Sequence, residues 1–112
     1  MDTALLDAAF RLVSHSITSI EARFHPLTTD EARVAELMRQ FPDADAQALQ
    51  EALARAHRLE EVAIEMADTA RNQRQGQSGS VLDAQALAER CPGFSGESYS
   101  WAINDGFTLT RK

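Results

Sequence analysis

At 112 residues, with 44% hydrophobic and 25% charged residues, the chain has the size and balance of one soluble domain with a modest core. A net charge of −6 at pH 7 argues against a nucleic-acid backbone or an anionic membrane surface as the main partner. No run approaches the roughly twenty apolar residues of a membrane span, and the opening MDTALLDAAF has an acid where a secretory signal carries Lys or Arg.

The charge is uneven. Residues 1–72 hold 13 acids against 7 Arg, which accounts for the whole −6, whereas residues 73–112 hold 4 acids against 4 bases. The single cysteine, Cys91, has no partner for an internal disulfide, which points to a reducing, cytoplasmic setting. Ten Arg to one Lys, with abundant Ala, is the composition of a GC-rich bacterial coding sequence.

Thr3–Phe24 carries apolar residues at Leu6, Phe10, Val13, Ile17, Ile20 and Phe24, in steps of three and four that predict a helix with one buried seam. Asp7 and Arg11 stand at i,i+4 on the other face, the spacing of a weak ion pair. Ser14, Ser16, Thr18 and Ser19 lower helix propensity in the middle of this stretch, and His25-Pro26 ends it. Thr28-Thr29-Asp30-Glu31 then reads as a capped helix start with acids facing the positive end of the dipole. The helix it opens, Asp30–Gln40, has Val34, Leu37, Met38 and Phe41 on one face and is broken by Phe41-Pro42-Asp43.

Asp43–Gln73, capped by Asp43 or Asp45, is the longest predicted helix. Its seam is Leu49, Ala52, Ala56, Leu59, Ala63, Met66 and Ala70, with no Gly or Pro inside it. Residues Gln73–Ser80 are polar and contain two glycines, as a flexible connector does. Leu82–Arg90 follows as a shorter helix capped by Ser80 or Asp83, then a Cys91-Pro92-Gly93 turn, then a helix Ser95–Asp105. Gly106 reads as its C-terminal stop, and the alternating Phe107-Thr108-Leu109-Thr110 reads as extended.

The expected fold is all-α: a small helical bundle with two long heptad-like helices and two or three short ones. Residues 1–72 form its core, 73–80 a connector, and 81–112 a C-terminal hairpin and tail packed on that core as one domain. An internal echo spans the connector. Leu37-x3-Phe41-Pro42-x6-Leu49-x2-Ala52-Leu53 aligns with Leu87-x3-Cys91-Pro92-x6-Tyr99-x2-Ala102-Ile103 at a constant offset of fifty. Either a duplication or two hairpins obeying the same packing rules produces it.

Chemistry is sparse in this pattern. No two of His15, His25 and His57 share the spacing of a metal pair, and Cys91 has no cysteine neighbour. Glu61, Glu65 and Asp68 line one helix flank, as a solvated ridge does, without the Glu-x-x-His motif of a di-iron bundle. Cys91 stands at a helix end, where the dipole disfavours a thiolate. The expectation is therefore no catalytic, cofactor-binding or metal-ligating residue. The candidate partner-binding residues are Phe94, Tyr99, Trp101 and Phe107, four of seven aromatics within the last nineteen residues. Tyr and Trp are frequent interface anchors, while in an Ala-rich bundle the same rings also serve to fill grooves.

Phe41-Pro42 followed by Leu49, Leu53 and Ile64 makes Leu37–Ala67 resemble a CUE-type ubiquitin-binding module. The resemblance implies three short helices, with ubiquitin held by the Phe-Pro turn and a leucine pair. Here Gln40 stands where that family has Met, Met66-Ala67 where it has the leucines, and Arg58 where it has the Gly that divides two helices.

The leading functional expectation is a non-catalytic bacterial protein–protein interaction module (adaptor, chaperone-like or inhibitor) that binds an unidentified protein and is able to self-associate as a homodimer. The alternative is a nucleic-acid-linked regulator built on Leu82–Asp105, for which Arg90, Arg111 and Lys112 are the phosphate contacts at hand, or an acidic DNA-mimic inhibitor.

Overall fold

The computed structural model describes residues 2–15, 17, 29–72 and 83–110. Five helices, and no strand, occur among the described residues: α1 (Thr3–Val13), α2 (Asp30–Gln40), α3 (Ala46–Asn72), α4 (Ala84–Arg90) and α5 (Gly96–Thr110). The predicted connector 73–80 lies outside the described residues, as do Ser80, His25-Pro26 and the first predicted helix beyond Ile17.

Side-chain oxygens mark all five helix starts, Ser95 Oγ accepting the Ser98 amide at 3.4 Å ahead of α5. Asp2 accepts from the Ala4 amide at 3.3 Å, Thr29 from Ala32 at 3.1 Å, Asp45 from Ala48 at 2.7 Å and Asp83 from Ala86 at 2.7 Å. Each satisfies an amide that the helix itself leaves without a partner. Asp45, not Asp43, therefore caps the long helix.

Helix α3 runs unbroken for 27 residues, about 40 Å at 1.5 Å per residue, through a molecule 49 × 30 × 18 Å in extent. Arg58 lies within it, so the helix division that a CUE-type module requires is absent. Leu49, Ala52, Ala56, Leu59, Ala63 and Met66 are buried as their spacing predicts; Ala70, near the helix end, is partly covered. Leu53, Val62 and Ala67 are buried too. The covered face is wider than one seam because α3 has neighbours on several sides: α1, α2, α4 and α5 all pack on it.

The helix predicted over 3–24 is interrupted. Ser14 leaves the helical region (φ −59°, ψ 127°), and His15 and Ile17 are helical again beyond it. Ahead of the break, Leu5, Leu6, Ala9 and Phe10 are buried against the common core. Asp7, expected to pair with Arg11, is directed at the last hairpin: its Oδ1 accepts the Ser95 amide at 3.0 Å and the Ser98 hydroxyl at 2.7 Å. Ser14 in turn donates to Asp105 at 2.5 Å. Both side-chain links join residues 91 apart, so α1 and α5 run in the same direction.

At the C-terminal end two expectations are corrected. Gly106 does not stop α5, and residues 107–110 are helical, not extended. A Cβ on Gly106 would lie 2.6 Å from the Ala63 carbonyl oxygen and 3.1 Å from the Ala67 Cβ. The glycine therefore sits where the backbones of α3 and α5 cross closely, and its role is to make room.

The echo at offset fifty has matching geometry. Phe41 and Cys91 end their helices with nearly the same torsions (φ −127°, ψ 71° and φ −134°, ψ 72°), and their amides donate to Leu37 and Leu87 at 2.7 Å. Leu49 and Tyr99 then donate to Asp45 and Ser95 at 3.2 Å. Leu37 and Leu87 are both fully buried, as are Ala52 and Ala102.

Candidate functional site

The two hairpins bring three arginines together. Arg55 and Arg58, at i,i+3, lie on one face of α3, and Arg90 closes α4. With Cys91, Pro92 and Phe94 from the following turn they line a cleft of about 200 Å³. Its lining is mostly apolar, with the three arginine side chains among its walls. Arg55 is held by Glu51 at 3.1 Å and Arg90 by Glu65 at 3.7 Å. Both pairs are exposed and therefore weak. Arg58 makes no ion pair among the described residues, so the surplus positive charge at the cleft is its own. A guanidinium is a planar fork suited to carboxylate. An anionic group attached to an apolar body is what this lining can hold.

The turn that lines the cleft is fixed by Tyr99. Its hydroxyl donates to the Cys91 carbonyl at 2.7 Å and accepts the Phe94 amide at 3.3 Å. Phe94 packs edge-on against both Phe10 and Tyr99, with ring centroids 6.0 Å apart in each pair. Burial pushes the Tyr99 hydroxyl above its ordinary pKa. It also raises the Cys91 thiol, although the charges of Arg58 and Arg90 pull the other way. Cys91 is thus a wall of the cleft in its neutral form and a poor nucleophile.

The four candidate aromatics separate accordingly. Tyr99 is enclosed in the core, and Phe94 is 8% exposed at the edge of the cleft. Trp101 is half-buried, and Phe107 is exposed together with Leu109. Sequence reasoning did not assemble the cleft, because Arg55 and Arg58 meet Arg90 only once the second hairpin folds onto α3.

His57 bonds Asp30 across the α2–α3 hairpin at 2.8 Å, and that bond, with Arg33 nearby, holds the Asp30 carboxyl below its ordinary range. His15 is exposed, and Glu61, Glu65 and Asp68 form an exposed ridge. No group of three or more metal-ligating side chains occurs among the described residues, and no described helix is long and apolar enough to cross a membrane.

A second polar group was not anticipated. Glu60 and Asp105 are buried beside Ser14, between α3, α5 and the end of α1. A signal for it exists in the sequence. Leu53, Ala56, Glu60, Ala63 and Ala67 step by three and four, and so do Ser98, Ala102, Asp105 and Leu109. Each set carries one acid inside an otherwise apolar or small-residue stripe.

Comparison with protein-family models, with curated proteins and with solved structures gives no match for this chain.

Proposed function

We propose that this chain is a non-catalytic protein-interaction module of the bacterial cytoplasm, an adaptor or inhibitor, that holds an acidic, partly apolar segment of another protein at the Arg55–Arg58–Arg90 cleft. The observation that carries this reading is that three arginines line one mostly apolar cleft in a chain whose net charge is −6. A partner that presents a carboxylate beside an apolar side chain would place the ring or aliphatic chain against Pro92 and Phe94. Its charge would face Arg58. The available volume, about 200 Å³, suits one such side chain with its flanking acid rather than a long insertion. Affinity would then depend on one or two well-buried anchors, as in most protein interfaces.

The test uses dye-labelled peptides in which a Leu or Phe is flanked by Glu, with Lys-flanked peptides as the comparison. Glu-flanked peptides should bind saturably and more weakly at high salt. Arg58→Glu should weaken that binding about tenfold or more, the effect of losing roughly 1.4 kcal/mol, with an unchanged melting temperature. Equal binding of both peptide sets, or of wild type and Arg58→Glu, would refute the assignment.

A further inference from the structure

The acid pair at the break after α1 has no part in the interaction reading. Ser14 Oγ donates to Asp105 Oδ2 at 2.5 Å and accepts the Ile17 amide at 3.4 Å, while Glu60 Oε2 accepts the His15 amide at 3.0 Å. The chain thus restarts its helix with its first amides capped from within the core. Asp105 is fully buried and Glu60 is 9% exposed. Glu60 Oε1 is enclosed, and no N–H or O–H donor among the described residues reaches it. The Asp105 carboxyl lies beside it: the adjacent residues Ser14 and His15 donate to Asp105 Oδ2 and Glu60 Oε2, and the two buried side chains interact. Two carboxylates are both acceptors, so contact between them requires that one keep a proton.

We propose that Glu60 and Asp105 share one proton, which latches Ser14, His15 and Ile17 onto α3 and α5, and that loss of this proton loosens that corner of the bundle. Among the described residues three groups lie about Glu60. From α5 comes Asp105; from the chain after α1 come the Ser14 hydroxyl and the His15 amide. The ring of His15 belongs to an exposed residue, His57 is turned to Asp30, and Glu61 is exposed. No cation among the described residues acts on Glu60; burial, then Asp105, push its carboxyl up to about 8, against the opposing hydrogen bond from the His15 amide. An unfolded glutamate loses its proton near its ordinary value of 4.5. The folded protein therefore holds the extra proton between about pH 4.5 and 8, and stability falls as pH rises across that window and levels off above it.

Urea melts of wild type and Glu60→Gln from pH 5.5 to 9 test this. Gln keeps both contacts, since its oxygen accepts from His15 and its amide donates to Asp105, but it has no proton to lose. The unfolding constant of wild type should rise relative to the variant by up to about tenfold per pH unit below pH 8. Amide exchange at His15 and Ile17 should lose protection in wild type alone. Parallel pH profiles would overturn the proposal. Should Glu60→Gln not fold, the carboxyl-carbon NMR titration of wild type decides: a Glu60 midpoint near pH 8 supports the shared proton, and a midpoint in the ordinary carboxylate range overturns it. Added Ca²⁺ that stabilises wild type at pH 8 but not Glu60→Gln would assign the pair to a metal ion, and would also overturn it.

Discussion

At Gly106 one missing carbon sets how closely two helices approach. Alanine is worth about 1 kcal/mol more than glycine in an open helix interior, so Gly106→Ala would stabilise an isolated α5. In the folded protein its Cβ would press on the backbone of Ala63 at 2.6 Å, and backbone does not rotate aside. Overpacking of this kind costs about 1–3 kcal/mol. We expect Gly106→Ala to lower stability in urea melts; a rise would mean that the crossing relaxes freely. The same residue shows where single-chain reading fails. A glycine near the end of an apolar stretch reads as a stop because its local neighbours say so, and Ala63, 43 positions earlier, leaves no mark on that pattern. Glu60 and Asp105 are the opposite case: each acid stands visibly among apolar or small residues at helical spacing, and what the sequence hides is that the two acids face each other.

Among the elements, the hairpins α2–α3 and α4–α5 repeat one design: a helix, a Pro-containing turn, a cap, a second helix. Their spacing made the repeat legible, because the turn needs Pro at one place and the packing needs Leu37 and Leu87 at another. The long helix was legible for the same reason, since six of its seven seam positions are buried. Its second covered face was less so, because Leu53, Val62 and Ala67 are claimed by helices whose position the sequence does not announce. The short helix α4 has only seven residues, so its cap matters more than that of α3. Asp83→Ala should cost about 0.5–2 kcal/mol. The readout is local as well as global: Cys91, 7% exposed at the end of α4, should react faster with a thiol reagent as that helix frays. Unchanged labelling would show that Tyr99 alone holds the turn.

For the whole molecule, the apolar seam of α3 is covered within one copy by α1, α2, α4 and α5. Self-association is therefore not what completes the core, and the melting temperature should not change with protein concentration. A concentration-dependent melt would show that a second copy contributes to the fold. The charge imbalance has a matching layout. The described acids outside Glu60 and Asp105 are exposed or half-covered, while the cleft gathers three of the ten arginines at one spot. Composition alone revealed the sign of the surface but not this local reversal.

The links from Asp7 to Ser95 and Ser98, and from Ser14 to Asp105, join stretches about ninety residues apart. As the polypeptide is synthesised, α1 emerges long before the helix that will anchor it. Closing so large a loop is entropically costly and tends to be slow. The middle hairpin, whose contacts are local, is then the natural nucleus, and docking of the first and last helices is the late step. Substitutions at Ser14 or Asp7 should therefore accelerate unfolding while leaving the refolding rate nearly unchanged, so the endurance of the native state rests on a closure that waits for α5 to be made.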